Sequence, residues 1–140
     1  SNYLLLGLII EAVSGKSYAE FLKEHIFVPL NLAHTFVSTN AFVSDIQKIL
    51  PALAHGYVLD PNTKALRPAG MVNLSVDYAE SAIIATAHDL FSFITNLFSH
   101  KIINAEMLQK MKNPYFATPY GTQVGYGIYL DKLMDTVHES

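Results

Sequence analysis

This chain holds serines, tyrosines and six histidines as its candidates for chemistry, and no cysteine at all. Without cysteine, disulfides, thiol catalysis and most structural zinc sites are excluded together. The histidines are His25, His34, His55, His88, His100 and His138. No two of them fall at the helical spacing that would set both imidazoles on one metal, so the expectation is that no residue here binds a metal. Asp77 and Glu80 read as solvated loop charges rather than an acid pair. Tyr126 and Tyr129 read as sheet-packing residues rather than ligands. A formal charge of -3, spread along the chain, offers no basic footprint for nucleic acid.

The elements that must position these groups are legible in outline. Residues 3–14 favour helix, and Gly15 stands where a left-handed C-terminal cap is needed. Ser17-Tyr18-Ala19-Glu20 is a capping box that opens a second helix, which Pro29 stops. Pro29-Leu30-Asn31-Leu32 then turns, with Asn31 tolerating a positive φ. From Ala33 to Asp77 the pattern loosens. A short helix is expected over 45–50, and a strand and turn, or a hairpin, over 54–64. Thr86 caps a helix with Asp89 in its first turn and a wide apolar stripe behind it. Asn104 caps another, closed by Asn113-Pro114. Tyr126 to Leu130 has strand composition, with Gly125 and Gly127 marking a close backbone approach.

Hydrophobic residues make up 51% of the 140 positions and charged residues 15%. That balance fits a segment whose faces pack against other parts of a protein, and also a plain apolar globular domain, which is the commoner case. The run Leu4 to Ile10 falls well short of the ~20 residues that cross a bilayer, and Glu11 ends it.

Four stretches, in order, carry a resemblance. They are Asn2-Tyr3-Leu4-Leu5-Leu6-Gly7-Leu8-Ile9-Ile10-Glu11 through Tyr18; Phe27-Val28-Pro29-Leu30-Asn31-Leu32; Ala85-Thr86-Ala87-His88-Asp89-Leu90; and Gly125-Tyr126-Gly127-Ile128. Together they resemble the serine β-lactamase and penicillin-binding-protein-like hydrolases, a superfamily that includes class C β-lactamases, D-alanyl-D-alanine carboxypeptidases and esterases. The resemblance implies an α+β fold of which this chain is an internal, mostly helical segment. Residues from about 1 to 77 would supply the helical region and covering loops. Residues from about 78 to 140 would supply helices and a strand returning to the α/β region.

The family's chemistry starts from an S-x-x-K serine, acylated and then hydrolysed. Here Ser14 leads to Ser17, Ser17 to Glu20, Ser38 to Ala41 and Ser44 to Gln47, and Ser92 and Ser99 fail likewise. No catalytic residue is therefore expected in this segment. By family spacing the Y-x-N motif ends just before Ser1; the rival reading, through a deletion, makes Asn2 its asparagine. His138-Glu139-Ser140 reads as strand approaching the third motif. Tyr78-Ala79-Glu80-Ser81-Ala82 resembles a substrate-pocket segment, which makes Tyr78 and Ser81 the candidate substrate-binding residues. Their bland readings are a half-buried loop tyrosine and a hydroxyl serving local backbone.

The implied parent is a bacterial serine hydrolase without metal or organic cofactor, acting on D-alanyl peptides of peptidoglycan type, β-lactams or esters. Its expected partners are that substrate and the flanking parts of the same domain. An extracytoplasmic location follows from the resemblance, with a possible membrane tether outside the segment. The isolated segment is expected to be inert. Two rivals remain at this point: a non-catalytic relative that binds cell-wall fragments or a partner through the same cleft, and an unrelated helical interaction domain.

Overall fold

A computed structural model describes residues 2–38, 53–69, 74–119 and 121–130. The helix expected over 45–50 and the segment His138–Ser140 lie outside these residues. The architecture is α+β: helices joined by short antiparallel pairings. By its contacts the chain divides into two compact units, residues 1–90 and 91–140.

The first unit is organised by α1, Asn2–Ser14. Gly15 adopts φ 69°, the left-handed end that glycine reaches without a Cβ penalty, and its N–H donates to the Glu11 carbonyl. Helix α2, Tyr18–Leu22, begins as the spacing predicts: the Ser17 hydroxyl accepts from the Glu20 N–H, and the Glu20 carboxylate accepts from the Ser17 N–H at 3.0 Å. It continues as a π-helical turn over Lys23–Phe27. The chain then leaves the helix around Pro29, with Asn31 at φ 53°. Tyr18, Leu22, Phe27 and Leu32 are buried along this run and form the unit's core together with Ala82.

Strand β1, Phe36–Val37, pairs with β4, Ile83–Ile84; the sequence offered no sign of this pairing. The expected hairpin is present as β2, Tyr57–Leu59, against β3, Leu66–Pro68. Asp60 builds its turn by accepting the N–H groups of Asn62 and Thr63, both at 2.9 Å. Helix α3, Leu74–Ser81, occupies the stretch read from sequence as a loop. Its one non-helical residue is Tyr78.

Helix α4, Ala87–Phe98, starts where Thr86 accepts the Asp89 N–H at 3.1 Å. Asp89 does more than favour the helix end. Its carboxylate is buried, at 3% exposure, and accepts the His34 N–H at 2.8 Å and the Thr35 hydroxyl at 2.9 Å. Burial disfavours its charge. The bonds from Thr35, His34 and His88 outweigh that cost and hold the carboxyl below the ordinary aspartate value.

In the second unit, α5, Ala105–Lys112, is capped by Asn104, whose side chain accepts the Met107 N–H at 2.9 Å. Strands β5, Phe116–Ala117, β6, Gln123–Val124, and β7, Tyr129–Leu130, form an antiparallel sheet. The strand expected from Tyr126 begins only at Tyr129. Gly125 explains why: its backbone runs so close to the Met111 carbonyl that a Cβ would fall 2.0 Å from that oxygen. The Tyr126 N–H donates to the same oxygen, which turns the chain into a bend. Tyr126 is therefore not a sheet-packing residue. It stacks on Tyr115 with ring centroids 4.4 Å apart.

Two outcomes are expected in the intact protein. Lowering the pH from 7 should shrink the gap in urea midpoint between wild type and Asp89→Asn. The folded-state carboxyl is held below its unfolded value, so its contribution is present above that unfolded value and fades as the native group is protonated. Equilibrium denaturation should also separate two glycines. Gly15→Ala, with open space around it, should cost about 1 kcal/mol of left-handed strain. Gly7→Val, which drives a side chain into α3, should cost about 2–3 kcal/mol.

Candidate functional site

The candidate residues Tyr78 and Ser81 both lie on α3, and α3 is held against α1. The contact is made at Gly7, the sole glycine of α1. A Cβ there would fall 2.4 Å from the Ala79 Cβ and 2.9 Å from Tyr78 Cε1, so only glycine lets the two backbones approach this closely. Position 7 is five residues past Asn2. At 1.5 Å per residue, the crossing lies about 7–8 Å along the axis from the start of α1.

Tyr78 has φ 38° and ψ −116°, a conformation outside any helix. Such a non-glycine residue costs on the order of 1–3 kcal/mol and persists only where its surroundings over-determine it. Here they do. The Tyr78 ring lies against Gly7 and packs on Tyr18 at 5.4 Å between centroids, tilted by 46°. Its hydroxyl oxygen is buried and has no hydrogen-bond partner among the described residues. Burial, with Glu11 beside it, pushes the phenol up to about 12.

Glu11 is the acceptor at the centre of this cluster. Its Oε1 takes the Tyr18 N–H at 2.8 Å, one of the free amides at the start of α2. Tyr78 first, and then this amide, hold the Glu11 carboxyl below its ordinary value. One carboxylate thus links the end of α1 to the start of α2.

Ser81 closes α3 and is exposed. Ala82 behind it is buried; its N–H donates to the Tyr78 carbonyl at 3.1 Å, and its carbonyl accepts the Ser38 N–H at 2.7 Å. The structure therefore keeps Tyr78 and Ser81 on one short kinked segment, with the tyrosine turned into the unit and the serine exposed. A separate groove of about 480 Å³ lies between α2 and β1, lined by Phe27, Val28, Leu32 and Phe36 among others, and contains neither residue.

The sequence reading missed Gly7 and Glu11. Both had a signal: a lone glycine inside an apolar helical run asks for a packing reason, and so does a lone carboxylate on the same helix. Among the described residues no cluster of histidine and carboxylate side chains could hold a metal ion, and no helix is long and apolar enough to cross a membrane.

Residues 1–138 match the Beta-lactamase family. The teichoic acid D-alanine hydrolase of Staphylococcus aureus is 32% identical over 129 residues, which are 91% of this chain and 30% of that protein. The octameric penicillin-binding protein homologue from Pyrococcus abyssi shares the fold with a TM-score of 0.73 and 29% identity, covering 91% of this chain and 28% of that one. For the D-amino acid amidase from Ochrobactrum anthropi SV3, complexed with D-phenylalanine, the TM-score is 0.71 and the identity 26%, over 95% of this chain and 40% of that one. The chain thus spans less than half the length of each of these relatives. With the match running almost from end to end, the chain belongs to the β-lactamase family, in the company of penicillin-binding-protein-like and D-alanine-hydrolysing proteins.

Proposed function

We propose that the protein containing this segment is a serine hydrolase that forms an acyl-enzyme, and that its preferred acyl donor carries a D-alanyl or related D-amino acid group. The serine hydroxyl adds to the carbonyl, the amine or alcohol leaves with a proton, and water then releases the acid from the ester. Nucleophile and lysine lie in parts of the protein other than these residues, since no serine here stands three residues before a lysine. The D-configured acyl group is favoured by the relatives named for it, a D-alanine hydrolase and a D-amino acid amidase. β-Lactams and simple esters come after it. The same reading puts the protein outside the cytoplasm.

One observation carries the role of this segment: α3 crosses α1 at Gly7, less than two turns from the helix start beside which the family's second motif falls. That crossing supports a substrate-binding part for the kinked segment. Ser81 offers an exposed hydroxyl to a substrate amide or carboxylate, and Tyr78 backs it with an apolar ring that sets its position.

The intact protein should release p-nitroaniline from a D-alanyl p-nitroanilide and prefer it to the L-isomer. The 140-residue segment alone should turn over neither nitrocefin nor p-nitrophenyl esters above background. Failure of the intact protein on all three substrates would remove the hydrolase reading and favour a non-catalytic binder. In the active protein, Ser81→Ala should raise KM by about 2–10-fold, the range for one lost neutral hydrogen bond, with kcat little changed.

A further inference from the structure

We infer that Gly7 is a positioning residue for the substrate-binding edge: its missing side chain sets where the backbone of α3 lies, and so where Ser81 presents its hydroxyl. This rests on the reading above, which gives the segment 78–81 its contact with substrate.

The inference starts from two costs borne at one residue. Tyr78 holds a backbone conformation that a non-glycine residue avoids, in the middle of a short helix. Its hydroxyl oxygen is buried with no hydrogen-bond partner among the described residues, which is a second penalty. No bond of this hydroxyl offsets either cost, so packing must hold the kink. That packing belongs to the ring, which lies against Gly7 and sits on Tyr18 at 5.4 Å between centroids.

At Gly7 the packing has no slack. A Cβ there would stand 2.4 Å from the Ala79 Cβ, whereas ordinary contact begins at 3.4 Å. Room for a methyl group therefore requires α3 to move by about 1 Å. A flexible side-chain end could swing aside, but the Ala79 Cβ is bonded to the backbone and carries that backbone with it. Ser81 stands two residues further along the same short segment. Past it the chain is tied down: the Ala82 N–H donates to the Tyr78 carbonyl at 3.1 Å, and the Ala82 carbonyl accepts the Ser38 N–H at 2.7 Å. A shift at Ala79 is taken up before that tie, in the stretch that holds Ser81. A hydroxyl displaced in this way no longer meets a substrate amide at hydrogen-bonding distance. Substrate and transition state lose it alike, which is read as a rise in KM at constant kcat.

The test uses the intact protein with the D-alanyl p-nitroanilide, with active sites counted by the acylation burst. Gly7→Ala should raise KM by about 2–10-fold, with kcat per counted site within about twofold of wild type. The double variant Gly7→Ala/Ser81→Ala should rise no further than the larger single, because a displaced serine is one already lost. Gly15→Ala, a strained glycine with open space around it, should keep the wild-type KM. Normal KM in Gly7→Ala, or fewer active sites with normal KM, would reduce Gly7 to a packing residue and overturn the inference. Additive single effects would overturn it too, as would an equal rise in Gly15→Ala. If Gly7→Ala does not fold, Ala79→Val, which crowds the same contact from the α3 side, decides: raised KM supports the inference and normal KM overturns it. Raised KM in Ser81→Ala beside normal KM in Gly7→Ala removes only this inference. Normal KM in Ser81→Ala, or an inactive wild type, removes the reading of the segment as well.

Discussion

The missing side chain at Gly7 is the constraint on which the arrangement of the first unit depends. Helices with ordinary side chains keep their axes 8–10 Å apart, and a bulky residue at the crossing would push α3 outward. With only hydrogen at position 7, Ala79 and the Tyr78 ring come directly onto the α1 backbone. That contact sets the Tyr78 ring on the α1 face that also carries Glu11, one turn further along, as the spacing from 7 to 11 requires. Close approach, ring packing on Tyr18 and the buried phenol follow as one geometric event.

A second tie holds the unit from the other direction. Asp89 lies 55 residues from His34, yet its carboxylate satisfies the His34 amide and the Thr35 hydroxyl while its own N–H is taken by Thr86. A buried carboxylate tolerates its desolvation only when such donors converge on it. Glu11 and Asp89 therefore play parallel parts. Each is an acidic residue that accepts an amide hydrogen left free near a helix or turn end, Glu11 from Tyr18 seven residues on and Asp89 from His34.

The apolar character of α1 fits its family. Leu5, Leu6, Leu8, Ile9 and Val13 are exposed here, on more than one face of the helix. A helix that is apolar all round is one that a larger protein encloses. The chain covers under half the length of the relatives it matches. The stripe that the sequence showed on α4 is exposed too, at Leu90, Phe91, Ile94 and Phe98.

Local physics was readable from the residues because its causes lie within a few positions. The Ser17–Glu20 box, the left-handed Gly15 and Asn31, the Asp60 turn and the Asn104 cap each depend on groups no more than four residues apart. The ordered motifs, from the Asn2–Glu11 helix to Gly125-Tyr126-Gly127, were enough to indicate the family. What the residues alone could not reveal was everything that needs two distant segments to meet. The β1–β4 pairing of two-residue strands has no length over which a period can be seen. The bend at Tyr126 is imposed by a carbonyl from α5. The helix around Tyr78 looked like loop because its neighbours carry weak local preference, and its strained φ is sustained by Gly7 and Tyr18, some sixty to seventy positions away. Sequence fixed which caps and turns form, since those energies are local. Tertiary packing alone decided where Tyr78 and Ser81 face, since that direction is held by contacts a linear reading does not contain.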